Sequence, residues 1–289
     1  MAHWDDLADP HDPALERIAV DRHIHPLHLE DMRERSQRAK LEEGRGYLYV
    51  VLKLAHLDPG CEFHAPDLDL VLGRDWVLTV REKNDHVTAN LLKPIHAEAA
   101  HLRADQIFHR VFDAVVDSYT PTLDTLDEEI DTLENRVLID SSPEAVSHLF
   151  TLKRSLIELR RVLVNMRDLA NHLQRIDSAL VHRDLHPYLR DVYDHIARHL
   201  DSVETQRDLL SSALEVYLST VANRTNQVMK VLTVIGTISI PAVVITGLYG
   251  MNMEGLPWSH SPHAFVIVIL LIMVCSGSLL LTLRTFRWW

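Results

Sequence analysis

Two long stretches without charged residues lie near the C-terminal end of the 289-residue chain and constrain its fold most strongly. No Lys, Arg, Asp or Glu occurs at 231–253 or at 255–283. Each stretch is longer than the roughly 20 residues that a helix needs to cross a bilayer. The part at 264–283 is almost entirely apolar, whereas the first stretch contains Gly236 and Pro241, which indicates a face turned away from lipid. The sequence therefore predicts a membrane protein with two spans and a large N-terminal soluble part.

The charges that flank the two spans predict their orientation. Arg224 and Lys230 precede the first span, the tail at 284–289 is basic, and the loop at 251–263 carries no Lys or Arg. Because loops rich in Lys and Arg stay in the cytoplasm, both termini are predicted to be cytoplasmic and the loop to be external. We expect a multi-pass protein of the cell membrane, either an inner or a plasma membrane.

The overall composition excludes several classes of function. Acids outnumber bases 41 to 29, which gives a formal net charge of -12. Proteins that bind nucleic acids concentrate positive charge, so no nucleic-acid partner is expected. The sequence contains no Gly-rich phosphate loop, no Ser-His-Asp arrangement and no CxxC pair, so no enzymatic activity is predicted. Cys61 and Cys275 lie far apart, and no disulfide between them is expected.

Residues 1–103 are predicted to form a mixed α/β domain in the cytoplasm. Short segments rich in β-branched and aromatic residues are bounded by Gly, Pro or Asp, as strands commonly are. The predicted strands are 46–57, 67–73 and 75–82. Acid and leucine alternate in 67–73, which predicts a half-buried strand. Short helices are predicted near 12–19 and 28–36.

From residue 104 onward the apolar residues follow a helical period. A helical hairpin is predicted at 104–186, with its second helix at about 143–175. The apolar stripe of the first helix consists of Leu123, Leu126, Ile130, Leu133 and Val137. The opposite surface at 124–135 carries six acids and no base. Such a surface is typical of a solvated helix face, and also of one that collects cations.

A single long helix is predicted at 187–250. After Pro187 no Pro or Gly occurs until Gly236, and apolar residues keep roughly heptad spacing. At 1.5 Å per residue this helix would be on the order of 95 Å long. A helix of this length cannot bury its apolar stripe alone, so it needs partner helices or further copies of itself. A homo-oligomer is therefore predicted.

One face of the predicted helix changes character along its length. Its members, at steps of three, four or seven residues, are Glu215, Ala222, Asn226, Met229, Leu232 or Thr233, Gly236, Ile240, Val243 and Gly247. The face begins acidic, passes through a carboxamide and becomes small and apolar. In a symmetric bundle it would line a central axis, with an acidic ring that concentrates cations and an apolar stretch that gates by dewetting. Ordinary packing between membrane helices uses the same small residues, so both interpretations stay open.

The first span ends in an unusual cluster, Tyr-Gly-Met-Asn at 249–252, which is followed by Glu254. Mg2+ gives up its water reluctantly and is usually bound through retained waters. A ring of carboxamide oxygens from Asn252 could hydrogen-bond such a hydrated ion and still release it. Gly250 allows the backbone to leave the helix, and Glu254 adds a weak external attraction for cations.

Tyr-Gly-Met-Asn at the end of the first of two C-terminal spans resembles the signature of the CorA family of divalent-cation channels. The resemblance extends along 188–252 and to HIHPLHLEDM at 23–32, so it covers nearly the whole chain. It implies an α/β/α cytoplasmic domain, long stalk helices and two C-terminal transmembrane helices. It also implies a homopentameric funnel that conducts Mg2+, and often Co2+ or Ni2+, inward.

The same resemblance implies roles for individual residues. The implied selectivity filter consists of Gly250, Met251 and Asn252. Asn226 and Leu232 would lie in the inner pore and its hydrophobic gate, and Glu215 in an acidic ring near the inner mouth. Asp31 and Asp191 would form an intersubunit cation site in which bound Mg2+ favours the closed state.

The sequence departs from the family at several positions, and two alternative functions stay open. Ile240 and Val243 make the pore more apolar than in relatives, and Trp4 would lie in what is usually a central strand. A zinc or proton-coupled transporter of the ZntB type shares the architecture, and a non-conducting membrane-anchored coiled-coil scaffold is the alternative outside transport. The HxHxxH pattern at 23–28 could indicate a zinc or nickel site, although no cysteine ligands lie nearby.

Overall fold

A computed structural model describes residues 2–34, 37–83, 85–139, 142–251, 255–258 and 261–285. The chain divides into two compact units, Met1–Glu215 and Val216–Trp289. The first contains all the described strands, and the second contains the two apolar stretches.

The first unit is built around a mixed five-stranded sheet. The strands are β1 (His3–Leu7), β2 (Lys40–Gly44), β3 (Tyr47–Lys53), β4 (His56–Leu57), β5 (Phe63–His64), β6 (Asp67–Gly73) and β7 (Trp76–Arg81). The order in the main sheet is β1-β7-β6-β3-β2. β1 runs parallel to β7, and the other neighbours are antiparallel. β4 and β5 pair separately as a short hairpin.

Helices cover both faces of this sheet. The α-helices of the described residues, in both units, are α1 (Pro13–Asp21), α2 (Pro26–Arg33), α3 (His86–Glu98), α4 (Ala104–Asp117), α5 (Tyr119–Ile139), α6 (Pro143–Leu173), α7 (His186–Gly250) and α8 (Ala264–Thr285). α1 and α2 pack on the face that carries Tyr47, Tyr49 and Val51. Successive side chains of a strand point to opposite faces, and α4 packs against β3, β6 and β7 with a row of fully buried apolar residues. The implied α/β/α arrangement is confirmed.

Strand β6 is buried on both faces, so the prediction of a half-buried strand is wrong. The acids that alternate with leucine have polar or charged partners inside the unit. The Tyr49 hydroxyl donates a hydrogen bond of 2.7 Å to Asp69 Oδ1, and Lys53 Nζ pairs with Asp67 Oδ1. Buried charged groups need such partners, and helices on both sides of the sheet leave β6 no solvated face.

Two further strand predictions need correction. The segment predicted as one strand at 46–57 is divided, because β3 ends at Lys53 and His56 begins the separate hairpin. β1 lies at one end of the main sheet, so Trp4 is not in a central strand. Trp4 is held by a hydrogen bond of 3.1 Å from Nε1 to Thr79 Oγ1, and its ring stacks on His96 with centroids 3.5 Å apart.

The helical region differs from the predicted hairpin at one point. The described part of 104–185 contains α4, α5 and α6, because the first predicted helix is divided into α4 and α5 at Ser118. The Ser118 hydroxyl donates to the Val115 carbonyl oxygen at 2.6 Å. The predicted apolar stripe of α5 is buried along its whole length. Helix α6 begins at the predicted Pro143, where the Ser142 side chain caps it.

Helix α7 is continuous over 65 residues, His186–Gly250, as predicted. In the first unit its heptad positions Val192, Ile196 and Val203 are fully buried. Their burial stabilises the unit by about 1.5–3 kcal/mol per side chain. They fix this part of α7 against the rest of the unit.

The second unit contains the apolar end of α7 and the whole of α8, and among the described residues these two helices are long and apolar enough to cross a membrane. Almost none of the residues in the two apolar stretches are buried within the described chain. Pro241 lies inside α7 and has no amide hydrogen, so the Thr237 carbonyl lacks its usual helical donor. One residue further along, the Ser276 hydroxyl of α8 donates to the Ile238 carbonyl oxygen at 3.2 Å.

Candidate functional site

The residues predicted to line a pore all lie on α7, and in the single chain most of them are uncovered. The side chains of Met229, Leu232, Ile240 and Val243 are each more than half exposed. Glu215, Asn226 and Gly247 are also exposed, and Gly236 is half-buried. Exposed apolar side chains in such a row favour contact with lipid or with further helices.

The predicted filter begins where α7 ends. Gly250 is the last helical residue, and the Met251 amide still donates to the Leu248 carbonyl at 3.3 Å. The Tyr249 hydroxyl donates to the Pro257 carbonyl at 3.0 Å, which joins the end of α7 to a residue of the connecting segment. Asn252 and Glu254, the other predicted residues of this region, lie outside the described residues.

Asp31 already has a cationic partner. Lys40 Nζ lies 2.6 Å from Asp31 Oδ2 and 2.8 Å from Glu42 Oε1. Partial burial by itself would lower the pKa of Lys40, but its hydrogen bonds to Asp31 and Glu42 raise it. Lys40 is therefore charged at neutral pH, and any cation that binds Asp31 must compete with this ammonium.

Asp191 lies beside a cluster that sequence reasoning missed. Asp113 and Asp117 of α4 and His195 of α7 place one ligand atom each within 4.8 Å of one another. His195 Nε2 lies 3.5 Å from Asp191 Oδ2, and its Nδ1 lies 3.8 Å from Asp117 Oδ1. Burial and the charges of Asp117 and Asp191 raise the pKa of Asp113, against the opposing effect of His109. The regular spacing of acids at 113 and 117 was the only sequence signal for this group.

This cluster has the donor set of a divalent-cation site. Carboxylate oxygens are the ligands that Mg2+ prefers. Beyond the effect of burial, the negative charges of Asp117 and Asp191 raise the pKa of Asp113, and a divalent cation among these carboxylates would offset that repulsion. The structure brings Asp191 together with this cluster, whereas Asp31 lies in the separate network of Lys40 and Glu42 within the same chain.

The three histidines of the HxHxxH pattern have structural roles. His28 is buried, with Nδ1 at 2.8 Å from the Tyr47 hydroxyl and Nε2 at 2.8 Å from Glu42 Oε2. His25 Nδ1 accepts a hydrogen bond from the Leu27 amide at the start of α2. His23 Nδ1 lies 3.0 Å from the Val20 carbonyl oxygen. Their nitrogens are directed to different partners, which does not favour a shared metal ion.

Comparisons with known proteins agree on one family. The model of the family described as "CorA-like Mg2+ transporter protein" matches residues 2–284. The chain is 36% identical over 278 residues to the cobalt/magnesium transport protein CorA of Thermotoga maritima, which covers 95% of this chain and 79% of that protein.

Solved structures share the fold. The complete structure of the CorA magnesium transporter from Methanocaldococcus jannaschii matches with a TM-score of 0.85 at 23% identity, over 97% of this chain and 89% of that one. The cytoplasmic domain of ZntB from Vibrio parahaemolyticus matches with a TM-score of 0.63 at 12% identity, over 77% of this chain and 89% of that one. The family match spans almost the full length and includes both apolar helices, so this chain belongs to the CorA family of membrane transport proteins.

Proposed function

We propose that this protein transports Mg2+, and also Co2+ or Ni2+, through a homopentameric pore lined by α7. The observation that carries the proposal is the 36% identity to the cobalt/magnesium transport protein of Thermotoga maritima over 95% of the chain. The uncovered face of α7 supports the proposal. Five such faces around a common axis would cover apolar side chains that are exposed in the single chain. The N-terminal unit and the C-terminal tail are proposed to lie on the cytoplasmic side of the cell membrane, which is either an inner or a plasma membrane.

Each part of the α7 face has a physical role in the proposed path. Asn252 offers a neutral oxygen from each subunit, so a hydrated ion is held without the full attraction of carboxylates. Glu254 attracts cations outside the membrane. Leu232 narrows the path with apolar groups that exclude water when the pore is closed, and Glu215 concentrates cations at the inner mouth. The membrane potential supplies the driving force, at about 2.3 kcal/mol per elementary charge for each 100 mV.

The proposal is tested with purified protein in liposomes that contain a magnesium-sensitive dye. An inside-negative potential is expected to drive Mg2+ influx, and protein-free liposomes serve as the control. A scaffold that does not conduct gives no influx with any divalent cation. A carrier of the ZntB type gives Zn2+ uptake that follows an imposed pH gradient, whereas the proposed channel responds to voltage without needing that gradient.

A regulatory cation site is the second part of the proposal. Asp191, with Asp113, Asp117 and His195 beside it, is proposed to bind intracellular Mg2+ together with Asp31 of a neighbouring subunit. Bound Mg2+ offsets repulsion between the acidic surfaces of adjacent subunits and favours the closed state. When Mg2+ is scarce the repulsion returns and the subunits separate, which opens the pore. When Mg2+ has entered, it binds the site again and closes the pore, so entry is limited by the internal Mg2+ concentration.

Protease protection measures this regulation. Millimolar Mg2+ is expected to slow cleavage of the N-terminal unit of the full-length protein by roughly tenfold, which corresponds to a coupling of about 1.4 kcal/mol. Asp191→Lys is expected to remove the protection, because a fixed positive charge replaces a ligand. Asp194→Lys, the same change at an exposed position three residues along α7, should retain it. Equal protection in both variants would refute the role of Asp191.

A further inference from the structure

A second group of side chains that could ligate a metal ion lies in the first unit, and it shares no residue with the proposed pore or the regulatory site. Cys61, in the turn between β4 and β5, meets Glu129 of α5 and His148 of α6. One ligand atom from each of the three lies within 4.8 Å of the other two. Glu129 Oε2 and His148 Nε2 are 3.0 Å apart. The three residues come from three different elements, so the fold and not local sequence brings them together.

The turn directs the cysteine inward at a conformational cost. Cys61 is a non-glycine residue at φ 62° and is only 5% exposed. Asp58 holds the turn, since its Oδ1 accepts hydrogen bonds from the amides of Gly60 and Glu62 at 3.0 and 2.9 Å. Ser155 of α6 donates to the Cys61 carbonyl at 2.7 Å. A non-glycine residue in this region of φ costs of order 1–3 kcal/mol and persists where the surroundings fix it.

The thiol is not arranged for chemistry of its own. Burial raises the pKa of Cys61, and the negative charges of Glu129 and Asp58 raise it further. A reactive cysteine needs the opposite environment, with positive charge and access to solvent. Acidic neighbours around a buried thiol fit a bound cation, whose charge offsets theirs and favours the thiolate.

We propose that Cys61, Glu129 and His148 bind a single transition-metal ion of the Zn2+, Co2+ or Ni2+ type. Sulfur, imidazole nitrogen and a carboxylate oxygen are a ligand set for borderline-soft metals, whereas Mg2+ prefers oxygen alone. At metal–ligand distances of about 2.0–2.3 Å the ligand atoms of a tetrahedral site are roughly 3–4 Å apart. Glu129 and His148 already have about this spacing, and the Cys61 ligand atom lies within 4.8 Å of theirs, so water can complete the coordination.

Binding at this site would join the hairpin β4–β5 to helices α5 and α6. A metal that binds only the folded unit stabilises it in proportion to its occupancy. The site would therefore respond to transition metals and ignore Mg2+, so the protein would distinguish two classes of divalent cation outside its pore. Because it shares no residue with the α7 face or the Asp191 cluster, its test does not depend on transport.

Cobalt spectroscopy on the full-length protein in detergent tests the site. Resident metals are removed with a chelator, and Co2+ is then added to one equivalent. The expected result is a thiolate-to-cobalt charge-transfer band in the near ultraviolet, with visible bands of tetrahedral Co2+. Excess Mg2+ should leave these bands unchanged, and Zn2+ should remove them by displacement. No charge-transfer band in the native protein would overturn the proposal.

Matched variants identify the ligands. Cys61→Ser should remove the charge-transfer band, whereas Cys275→Ser, which changes the other cysteine of the chain, should retain it. His148→Gln keeps the thiol and should weaken Co2+ binding at least tenfold. Thermal unfolding without metal shows whether each variant is folded. A band that survives Cys61→Ser, or equal affinity in folded His148→Gln, would overturn the assignment, and influx of Mg2+ in liposomes should be retained in both variants.

Discussion

Replacing Asn252 by alanine is expected to reduce Mg2+ influx into liposomes by roughly a hundredfold or more. The proposed filter offers one carboxamide oxygen from each subunit to the hydrated ion. A hydrogen bond to a charged group contributes about 1.5–3 kcal/mol. A net loss of two such hydrogen bonds would weaken stabilisation of the ion in the filter by about 3 kcal/mol or more. Each 1.4 kcal/mol of lost stabilisation corresponds to roughly tenfold lower influx. The measurement is the initial rate of dye response at a fixed membrane potential.

Two variants distinguish a filter from a general effect on the protein. Asn135→Ala removes an exposed carboxamide from α5, where its Nδ2 donates to the Asp131 carbonyl at 2.9 Å, and should leave influx unchanged. Asn252→Gln keeps the chemical group on a longer side chain and should retain part of the influx. Unaltered influx in Asn252→Ala would show that the ion is selected elsewhere.

Replacing Asp67 by alanine is expected to lower the free energy of unfolding of the first unit by about 3–5 kcal/mol. The Lys53–Asp67 pair lies between β3 and β6, with side chains only 12% and 4% exposed. Removal of the carboxylate leaves the Lys53 ammonium charged in a site where water cannot replace its partner. Urea unfolding of the full-length protein in detergent, followed by tryptophan fluorescence, measures the change through the midpoint.

The buried pair also predicts a rescue. The double variant Lys53→Met with Asp67→Leu removes both charges and replaces them with apolar groups, so it should recover at least half of the lost stability. Asp75→Ala, at the exposed turn between β6 and β7, should change the free energy of unfolding by less than about 0.5 kcal/mol. If the double variant loses as much free energy of unfolding as Asp67→Ala, the unpaired Lys53 charge is not the cause of the destabilisation.

The elements that could be predicted from the sequence are those whose pattern is long. Helix α7 was predicted at 187–250 and is observed at His186–Gly250. No proline or glycine occurs at 188–235, and a continuous period over so many turns leaves few alternatives. The apolar stripe of α5 is confirmed for the same reason. The Tyr-Gly-Met-Asn motif indicated the family because it stands at the end of one span and before another.

Burial and long-range contacts could not be predicted in this way. The alternation in β6 indicated one solvated face, because nothing in its own seven residues shows that helices cover both sides of the sheet. The position of Trp4 depends on β1 pairing with β7, more than 70 residues away. Cys61 and His148 are similarly separated, and neither belongs to a local metal-binding pattern. Such clusters depend on how distant elements pack in space, and the local sequence does not show that packing.

The hydrogen bond from Ser276 to Ile238 bears on how the protein is made. A nascent helix that enters the bilayer with Pro241 carries an interruption in its backbone hydrogen bonding, and unpaired backbone groups are costly in hydrocarbon. The hydroxyl that reaches this region is supplied by α8, which is synthesised later. The segment between the helices carries one acid, Glu254, and no Lys or Arg, so it can cross the bilayer at a small electrostatic cost. These features favour release of the two spans from the translocation machinery as a pre-paired hairpin, with α8 bonded to α7 one residue from the interrupted position.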